Sequence, residues 1–473
     1  MSNIKKIAKV GVLYMIGTLF YRGIAFLMVP IYTRVMGKAD YGILNTYTAW
    51  VSALTIIVSL TLYMGVRAAF IDYEEDAATV LSSVITFTLI YGAFLLAIAA
   101  AVLSIFDINV DPRMVICCLL QSLYAAILND YMMYLMMKKQ YKQRLLFMVL
   151  PEVVVNTVAV IAVVYFYQDE KYMGRIIPGT MAYMVFAMIM VLLVYRKSRA
   201  NLNKEYLKFC LGVSLPLVLH GLSQYVLNQS DRVMITWLRD ASETAVYSVI
   251  YNIGMLSTAV SYALEGVWVP WFTDNLKAGK RDEINVYAKK YTQFMTLIMC
   301  GIVMVSPEII KIMSPKSYWE GMSIVPPIVF SNFFIFVYTL YVNIEHFHKK
   351  TRFIAVNTLT AAVVNLVLNY LLIPKFGYVA AAYTTLVSYF VSLVMHAAYA
   401  KRLEKNLYPI RQFGLFIVEV LAVVPVYYTF LNSLILRWTF ALGLVALNCY
   451  TERAFLKQAL AAFRKKKGNA DND

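Results

Sequence analysis

The sequence predicts an all-α integral membrane protein with about 14 transmembrane helices, and three observations lead to this fold class. Hydrophobic residues make up 61% of the 473 residues and charged residues only 15%, whereas soluble domains carry about 25% charged residues. The apolar residues form long runs, and roughly 20 such residues are needed for a helix to cross a bilayer. Lys and Arg concentrate in alternate connections between the runs.

Each long apolar run is interpreted as one span, because a helix satisfies its own backbone hydrogen bonds where water is absent. No connection between the runs is long enough to form a soluble domain. In chain order the predicted spans are Val10–Tyr32, Tyr41–Val66, Val80–Phe106, Met114–Met137, Leu145–Phe166, Gly174–Tyr195, Tyr206–Asn228, Thr244–Phe272, Tyr287–Met313, Gly321–Ile344, Phe353–Ile373, Tyr378–Ala400, Gln412–Leu431 and Leu434–Tyr450.

The distribution of basic residues predicts the orientation. If the N-terminus is cytoplasmic, most of the 43 Lys and Arg residues fall in inner segments, as the positive-inside rule requires. We therefore expect a multi-pass protein of the bacterial inner (cytoplasmic) membrane with both termini inside. The net charge of +16 follows from this asymmetry and from contacts with anionic lipids, so no nucleic-acid partner is expected.

Weak internal repetition predicts two halves. Residues 34–43 resemble 238–247, and Val154–Asn156 resembles Val363–Asn365 at a similar offset. The alternative is a chance match between short apolar strings. Two parallel six-helix halves around a central cavity are a recurring transporter plan. The predicted segments are an N-terminal half at 1–200, a C-terminal half at 201–405, and two extra helices with a basic cytoplasmic tail at 406–473.

Three stretches carry a resemblance to a known family. They are Pro30–Ile43, Ser230–Ile235 with Val246–Tyr251, and Asn365–Tyr389, which reads NLVLNYLLIPKFGYVAAAYTTLVSY. Together they resemble bacterial polysaccharide flippases of the multidrug/oligosaccharidyl-lipid/polysaccharide exporter superfamily. Within the last stretch, Pro374–Gly377 is interpreted as the loop that ends one helix and begins the next.

The resemblance implies a non-enzymatic flippase without a cofactor. Its substrate would be an oligosaccharide unit linked to undecaprenyl pyrophosphate, moved from the cytoplasmic to the outer leaflet by alternating access for capsule, exopolysaccharide or O-antigen assembly. Expected partners are this lipid-linked oligosaccharide, membrane lipids and a glycan polymerase or glycosyltransferase. The sequence has no G-x-x-x-x-G-K-[ST] loop, which argues against ATP hydrolysis. The membrane potential or coupling to Na⁺ or H⁺ would then supply the energy.

Four alternatives stay open at this point. Two belong to the same superfamily: a cation-coupled drug exporter and a lipid II flippase. The third is a membrane polysaccharide polymerase or ligase, although no outer loop is large enough for a catalytic domain. The fourth is a scaffold for glycan assembly that transports nothing.

Three arginines are the predicted substrate-binding residues. Arg22 lies inside the first predicted span, and guanidinium groups match phosphate bidentately; its alternative role is a structural ion pair. Arg67 at the inner end of the second span either meets incoming pyrophosphate or holds the interface. Arg232 follows Asp231 near the outer end of the seventh span, where such a pair can instead cap a helix or dock a loop.

Four residues are candidates for ion coupling, since ionisable groups inside spans often mark ion pathways. Asp130, Glu152 and Glu265 lie at similar distances from the cytoplasmic ends of their helices, which suggests a common inner vestibule. Each could bind Na⁺, exchange a proton, or pair with a base without titrating. His220 could relay protons or simply hydrogen-bond to a neighbouring helix. No metal-ligand spacing occurs among the five cysteines.

Overall fold

The computed structural model is helical throughout, and it describes residues 23–107 and 110–453. No strand occurs within these two ranges. The helices are α1 (Gly23–Val35), α2 (Lys38–Ser59), α3 (Leu62–Asp72), α4 (Ala77–Ile105), α5 (Pro112–Met137), α6 (Tyr141–Tyr165), α7 (Lys171–Lys197), α8 (Lys204–Leu238), α9 (Ala241–Lys277), α10 (Arg281–Met313), α11 (Val325–Phe347, after the 3₁₀ turns Lys316–Ile324), α12 (Thr351–Leu403), α13 (Gly414–Thr429) and α14 (Leu434–Thr451).

Eleven helical segments in the described ranges are long and apolar enough to cross a membrane, which confirms a multi-pass membrane protein. They include α12 as one element, although it covers the predicted eleventh and twelfth spans. Helix α9 matches the predicted eighth span but is not among the eleven, since polar residues such as Asn252 and Glu265 interrupt its apolar sequence. The first predicted span lies mostly outside the described residues. A total of 14 spans therefore stays a prediction.

The second predicted span is broken, so its interpretation as one continuous helix is wrong. Leu60 and Thr61 adopt left-handed backbone conformations, with φ of 45° and 53°, and separate α2 from α3. Such conformations cost L-residues about 1–2 kcal/mol each, so packing around the break must hold them. Neither residue is Gly or Pro, and the apolar pattern therefore carried no sign of the break.

Helix α12 is sharply kinked where the sequence predicted a loop. Gly377 has φ 60° and ψ −147°, three residues after Pro374. The Glu243 Oε2 atom accepts the backbone N–H of Tyr378 at 2.8 Å. A Cβ atom at position 377 would overlap this carboxylate, so only glycine fits the kink. The predicted separation of two helices at Pro374–Gly377 is confirmed.

The chain forms two compact units. Unit 1 contains the residues up to Val249, Ile312–Gly321 and Arg352–Ser388. Unit 2 contains Ile250–Lys311, Met322–Thr351 and the residues from Tyr389 onward. The predicted division at residues 200 and 405 rests on internal repetition, and it stays a prediction.

Helix α5 is the centre of unit 1, where it packs against α2, α3, α4, α6 and α7. More than half of its apolar window (61%) is buried, against 11% for α4. An apolar helix with so little buried surface is suited to face lipid. Gln121, Ser122 and Asp130 of α5 are accordingly buried.

Unit 2 is held together by polar contacts between its helices. Arg437 of α14 is 1% exposed and binds both carboxylate oxygens of Glu308 on α10, at 2.9 and 2.5 Å. At the end of α12, Glu404 accepts two hydrogen bonds from Arg281, at 2.8 and 3.1 Å. Hydrogen bonding to Arg281 keeps the pKa of the Glu404 carboxyl below its usual range. These ion pairs fix both ends of α10.

Candidate functional site

The most connected polar cluster of unit 1 surrounds the Asp231 carboxylate of α8, which is 1% exposed. Its Oδ2 atom accepts hydrogen bonds from the Tyr247 hydroxyl at 2.5 Å and the Thr385 hydroxyl at 2.8 Å. Its Oδ1 atom accepts a bond from the Asn369 amide at 2.6 Å. The donors belong to α9 and to both parts of α12. One buried acid thus joins three helices.

Buried amides and hydroxyls that hydrogen-bond to these donors fix their orientation. The Asn365 Oδ1 atom accepts bonds from Asn369 at 3.0 Å and from Ser230 at 3.4 Å, and its Nδ2 atom donates to Thr385 at 3.3 Å. The Thr384 hydroxyl donates to Asn369 Oδ1. Carboxylate, amide and hydroxyl oxygens are the ligands of hard cations. The cluster is therefore able to hold Na⁺ if the donors rearrange.

The sequence placed Asp231 and Arg232 at a helix end, and this placement is wrong. Helix α8 continues to Leu238, so both residues lie inside it. The guanidinium of Arg232 is buried and donates from Nη1 to Gln229 Oε1 at 2.8 Å and to the Asn228 carbonyl at 3.2 Å. The continuous apolar sequence ends at Asn228, because the polar residues of the cluster occupy the next turn of α8.

A second cluster in unit 1 contains a cation that the sequence analysis missed. Arg175 of α7 interacts electrostatically with Tyr32 of α1, Tyr183 of α7 and Glu152 of α6. The Tyr183 hydroxyl donates to Glu152 Oε1 at 2.8 Å. Arg175 and Glu152 are both partly exposed, so the pair is not sealed in the core. The structure thus places one predicted ion-coupling candidate beside an unpredicted guanidinium.

Gly179 allows Arg175 to reach this position. A Cβ atom at residue 179 would overlap Nη1 of Arg175, which shows that the side chain runs over this glycine. Four residues along a helix correspond to about 6 Å, so the charge lies about one turn further into the span than its Cα. Arg175 was not among the residues singled out from the sequence; a glycine four residues later was the available signal.

The remaining predicted site residues lie apart from these clusters. Arg22 lies outside the described residues. Arg67 is exposed on α3 and His220 is exposed on α8. Glu265 is partly buried in unit 2, where its charge acts on Tyr291 and Tyr338. The common vestibule for the acids stays a prediction.

Asp130 has surroundings unlike those of the other acids. It is 0% exposed in α5, and neither carboxylate oxygen has a hydrogen-bond partner among the described residues. No group of three or more His, Cys, Asp or Glu residues that could hold a metal ion occurs in the described part of the chain. Asp130 is therefore a single acid rather than part of a metal centre.

Unit 2 contains an aromatic cavity of about 450 Å³ between α9 and α10. The rings of Trp268 and Tyr291 stack with centroids 4.8 Å apart, and Trp271 and Tyr287 meet edge to face at 5.0 Å. Lys290 also lines the cavity and pairs with Glu452. Such rings can contact either a sugar or lipid tails.

Comparison with known proteins agrees with this architecture. A family model described as polysaccharide biosynthesis protein matches residues 7–276, and the MatE model matches residues 216–371. Protein 1 of the Lsg locus of Haemophilus influenzae is 23% identical over 333 residues, which cover 67% of this chain and 78% of that protein. The first model alone matches more than half of the chain.

Solved structures show the same fold. The lipid II flippase MurJ in an inward closed conformation matches with a TM-score of 0.73 and 13% identity, over 94% of this chain and 100% of that one. An inward-facing multidrug resistance transporter of the MATE family matches with a TM-score of 0.61 and 13% identity, over 81% and 95%. The protein described here thus belongs to the polysaccharide biosynthesis protein family, and its fold is that of the lipid II flippase and of the multidrug transporter.

Proposed function

We propose that this protein moves oligosaccharide units linked to undecaprenyl pyrophosphate from the cytoplasmic to the outer leaflet of the bacterial inner membrane. Both termini would be cytoplasmic, and the two predicted halves would provide alternating access. The product would supply a glycan polymerase or glycosyltransferase for capsule, exopolysaccharide or O-antigen assembly. The family and the intramembrane cations support this proposal.

The observation that carries the proposal is the position of Arg175. A guanidinium inside a span is costly unless polar groups meet it, and here Tyr32, Tyr183 and Glu152 do so. Arginine binds phosphate through two parallel N–H bonds. A pyrophosphate that enters unit 1 could therefore replace Glu152 as the anionic partner of Arg175. Arg22, Arg67 and Arg232 are proposed to guide the same headgroup at other depths.

The membrane potential can drive this export. A headgroup with about two negative charges gains roughly 4–5 kcal/mol per 100 mV when it leaves an inside-negative cell. Na⁺ or H⁺ coupling would add to this, and the oxygen atoms of the Asp231 cluster could hold Na⁺ only if the donors around the carboxylate rearranged. Glu265, Glu152 and His220 stay candidates from the sequence.

Reconstituted vesicles test the role of Arg175. Purified protein is placed in liposomes with a fluorescent undecaprenyl-pyrophosphate oligosaccharide, and the fraction reaching the opposite leaflet is followed with a membrane-impermeant quencher. A charge-assisted hydrogen bond contributes about 1.5–3 kcal/mol, so Arg175→Ala should lower the flipping rate about tenfold or more. Arg175→Lys keeps the positive charge but lacks the two parallel N–H donors of the guanidinium. Its flipping rate should lie between that of Arg175→Ala and that of wild type.

The matched control is Arg113→Ala, because Arg113 is exposed and lies at the start of α5 beside Asp111. This variant should flip at the wild-type rate. Equal rates for all three variants would refute the assigned role. If the wild type instead moved lipid II alone, or conferred drug resistance without moving glycolipid, the corresponding rival function would replace the proposal.

A further inference from the structure

The Asp130 carboxylate is a buried acid without a visible means of neutralisation. It is 0% exposed, and neither oxygen is hydrogen-bonded by any described residue. The charge of Asp130 acts on Tyr63 of α3 and on Cys210 of α8. No charged side chain of the described helices packed against α5 acts on Asp130. The acid thus faces a hydroxyl and a thiol, but no base.

An isolated carboxylate is not stable in such a place. Transfer of an unpaired ion into a low-dielectric interior costs far more than a protein can offset, so the group must be neutralised by a proton or a bound cation. A structural acid would be given donors, as Asp231 is. The lack of donors at Asp130 among the described residues therefore points to a neutralising partner that can exchange.

The position of Asp130 next to a helix break is an independent observation. Helix α3 packs against α5 and begins at the left-handed pair Leu60 and Thr61. Neither helix end at this break is capped by a hydrogen bond from its own cap side chain. Discontinuous helices in transporters are where ions bind and where segments move. The break separates the backbone of α3 from that of α2, although α8 packs against both helices.

Helix α3 is tied to α8 rather than to α5 by specific contacts. The Thr61 hydroxyl donates to the Ser214 carbonyl at 2.9 Å, and the Gly65 N–H donates to the Ser214 hydroxyl at 3.1 Å. A Cβ atom at Gly65 would lie 2.7 Å from the Cys210 backbone, so the two helices touch. Pro216 interrupts the hydrogen bonding of α8 two residues after Ser214. The α3–α8 pair can therefore move as one body.

We propose that Asp130 binds and releases a proton as the α3–α8 pair closes on and separates from α5. When the pair is closed, as in this structure, water is excluded and the acid is held neutral. When the pair opens, the carboxyl is hydrated and loses its proton. The coupling of this proton to glycolipid movement rests on the proposed function, whereas the proton site itself does not.

A proton fits this place better than a metal ion. Hard cations need several oxygen ligands, and Asp130 provides two oxygens with one tyrosine hydroxyl nearby. The neighbouring group from α8 is a thiol, which suits soft metals and not alkali or alkaline-earth ions. A proton needs no ligand shell and can be carried by one carboxyl group.

Infrared spectroscopy of the purified protein tests the site without any substrate. A protonated carboxyl group has a carbonyl stretching band that shifts in deuterated buffer. Wild type at neutral pH should show this band, and Asp130→Asn and Asp130→Leu should each lose part of it. Glu75→Gln, which removes an exposed acid, should leave it unchanged. Identical spectra for wild type and both Asp130 variants would overturn the proposal.

Transport in vesicles then tests the coupling. A pH gradient imposed across the vesicles should accelerate flipping severalfold in wild type and in Glu75→Gln, while Asp130→Asn should flip without responding to the gradient. A response that persists in Asp130→Asn refutes coupling through this residue. A response to a Na⁺ gradient that disappears in Asp130→Asn refutes the proton as occupant. If the wild-type protein flips no glycolipid, the proposed function fails. The infrared result still decides the proton site in that case.

Discussion

Asp231 and Asp130 make an informative comparison, because both are buried acids in the helices of unit 1 with almost identical exposure. Asp231 accepts three hydrogen bonds from three side chains. Asp130 accepts none from any described residue. The difference lies in the helices around them: α9 and α12 bring hydroxyls and an amide to the Asp231 carboxylate, whereas no described helix brings a hydrogen-bond donor to that of Asp130.

The comparison shows that burial alone does not assign a role to an intramembrane acid. A cation at Asp231 must compete with three donors, so its binding would reorganise the whole cluster. A proton at Asp130 competes with nothing and needs only access to water. The first environment makes the acid a support for the fold, and the second makes it exchangeable.

The largest expected effect is the loss of the Asp231 carboxylate. Asp231→Ala removes the acceptor of one hydrogen bond from each of Tyr247, Thr385 and Asn369. Intramembrane hydrogen bonds average about 0.6 kcal/mol with a maximum near 1.7 kcal/mol, so three of them predict a loss of about 2–4 kcal/mol. Thermal unfolding in detergent, followed by tryptophan fluorescence, measures this loss.

Asp231→Asn sharpens the comparison, because an amide has only one acceptor oxygen. Its NH₂ group would compete with the donors that now reach the carboxylate, among them the NH₂ group of Asn369. It should unfold between wild type and Asp231→Ala. A wild-type melting temperature for Asp231→Ala would contradict the hydrogen bonds described here.

An intermediate effect is expected for Glu404, an acid just beyond the end of α12 that is paired with charged groups instead of neutral donors. Hydrogen bonding to Arg281, and then to His348, lowers its pKa from the usual 4.5. A lowered carboxyl pKa stabilises the folded state above the unfolded value and loses that stabilisation as the pH falls through the folded value. Glu404→Gln should therefore cost about 1 kcal/mol at pH 7.

The deficit of Glu404→Gln should shrink as the pH is lowered below about 4.5, since the wild-type carboxyl is then protonated as well. Melting temperatures of both proteins at neutral and acidic pH provide the comparison. A deficit that is independent of pH would mean that shape, not charge, supports this end of α12.

The smallest effect on stability is expected at Asp130. Asp130→Leu replaces a group without hydrogen bonds by an apolar one of similar volume, which is often neutral or stabilising. The melting temperature should stay equal to that of wild type or rise. A loss as large as that of Asp231→Ala would show that Asp130 has structural partners and would remove the basis of the comparison.

The sequence was sufficient for the fold class because bilayer crossing imposes a strong constraint on length and hydropathy. It predicted the kink at Pro374–Gly377 because proline and glycine mark such positions chemically. It missed the break at Leu60 and Thr61, where tertiary packing imposes a conformation that neither residue favours. Local propensity carries no trace of such a requirement.

The candidate site was predicted less completely. Glu152 and Arg232 were selected because they are charged residues in or near apolar runs, but their partners depend on which helix faces meet. Arg175 was not singled out, because its Cα lies near the start of its helix while its charge lies about one turn deeper. The Asp231 cluster is built mainly from Asn, Thr and Tyr, which are too common in membrane helices to stand out one at a time.

The kink at Gly377 has a consequence for how the protein can change over evolution. The Glu243 carboxylate stabilises the first amide after the kink, from a helix that lies more than a hundred positions earlier in the chain. A larger side chain at 377 would displace that carboxylate, and a shorter one at 243 would leave the Tyr378 amide unsatisfied. A substitution at either position should therefore be tolerated only together with a compensating change at the other.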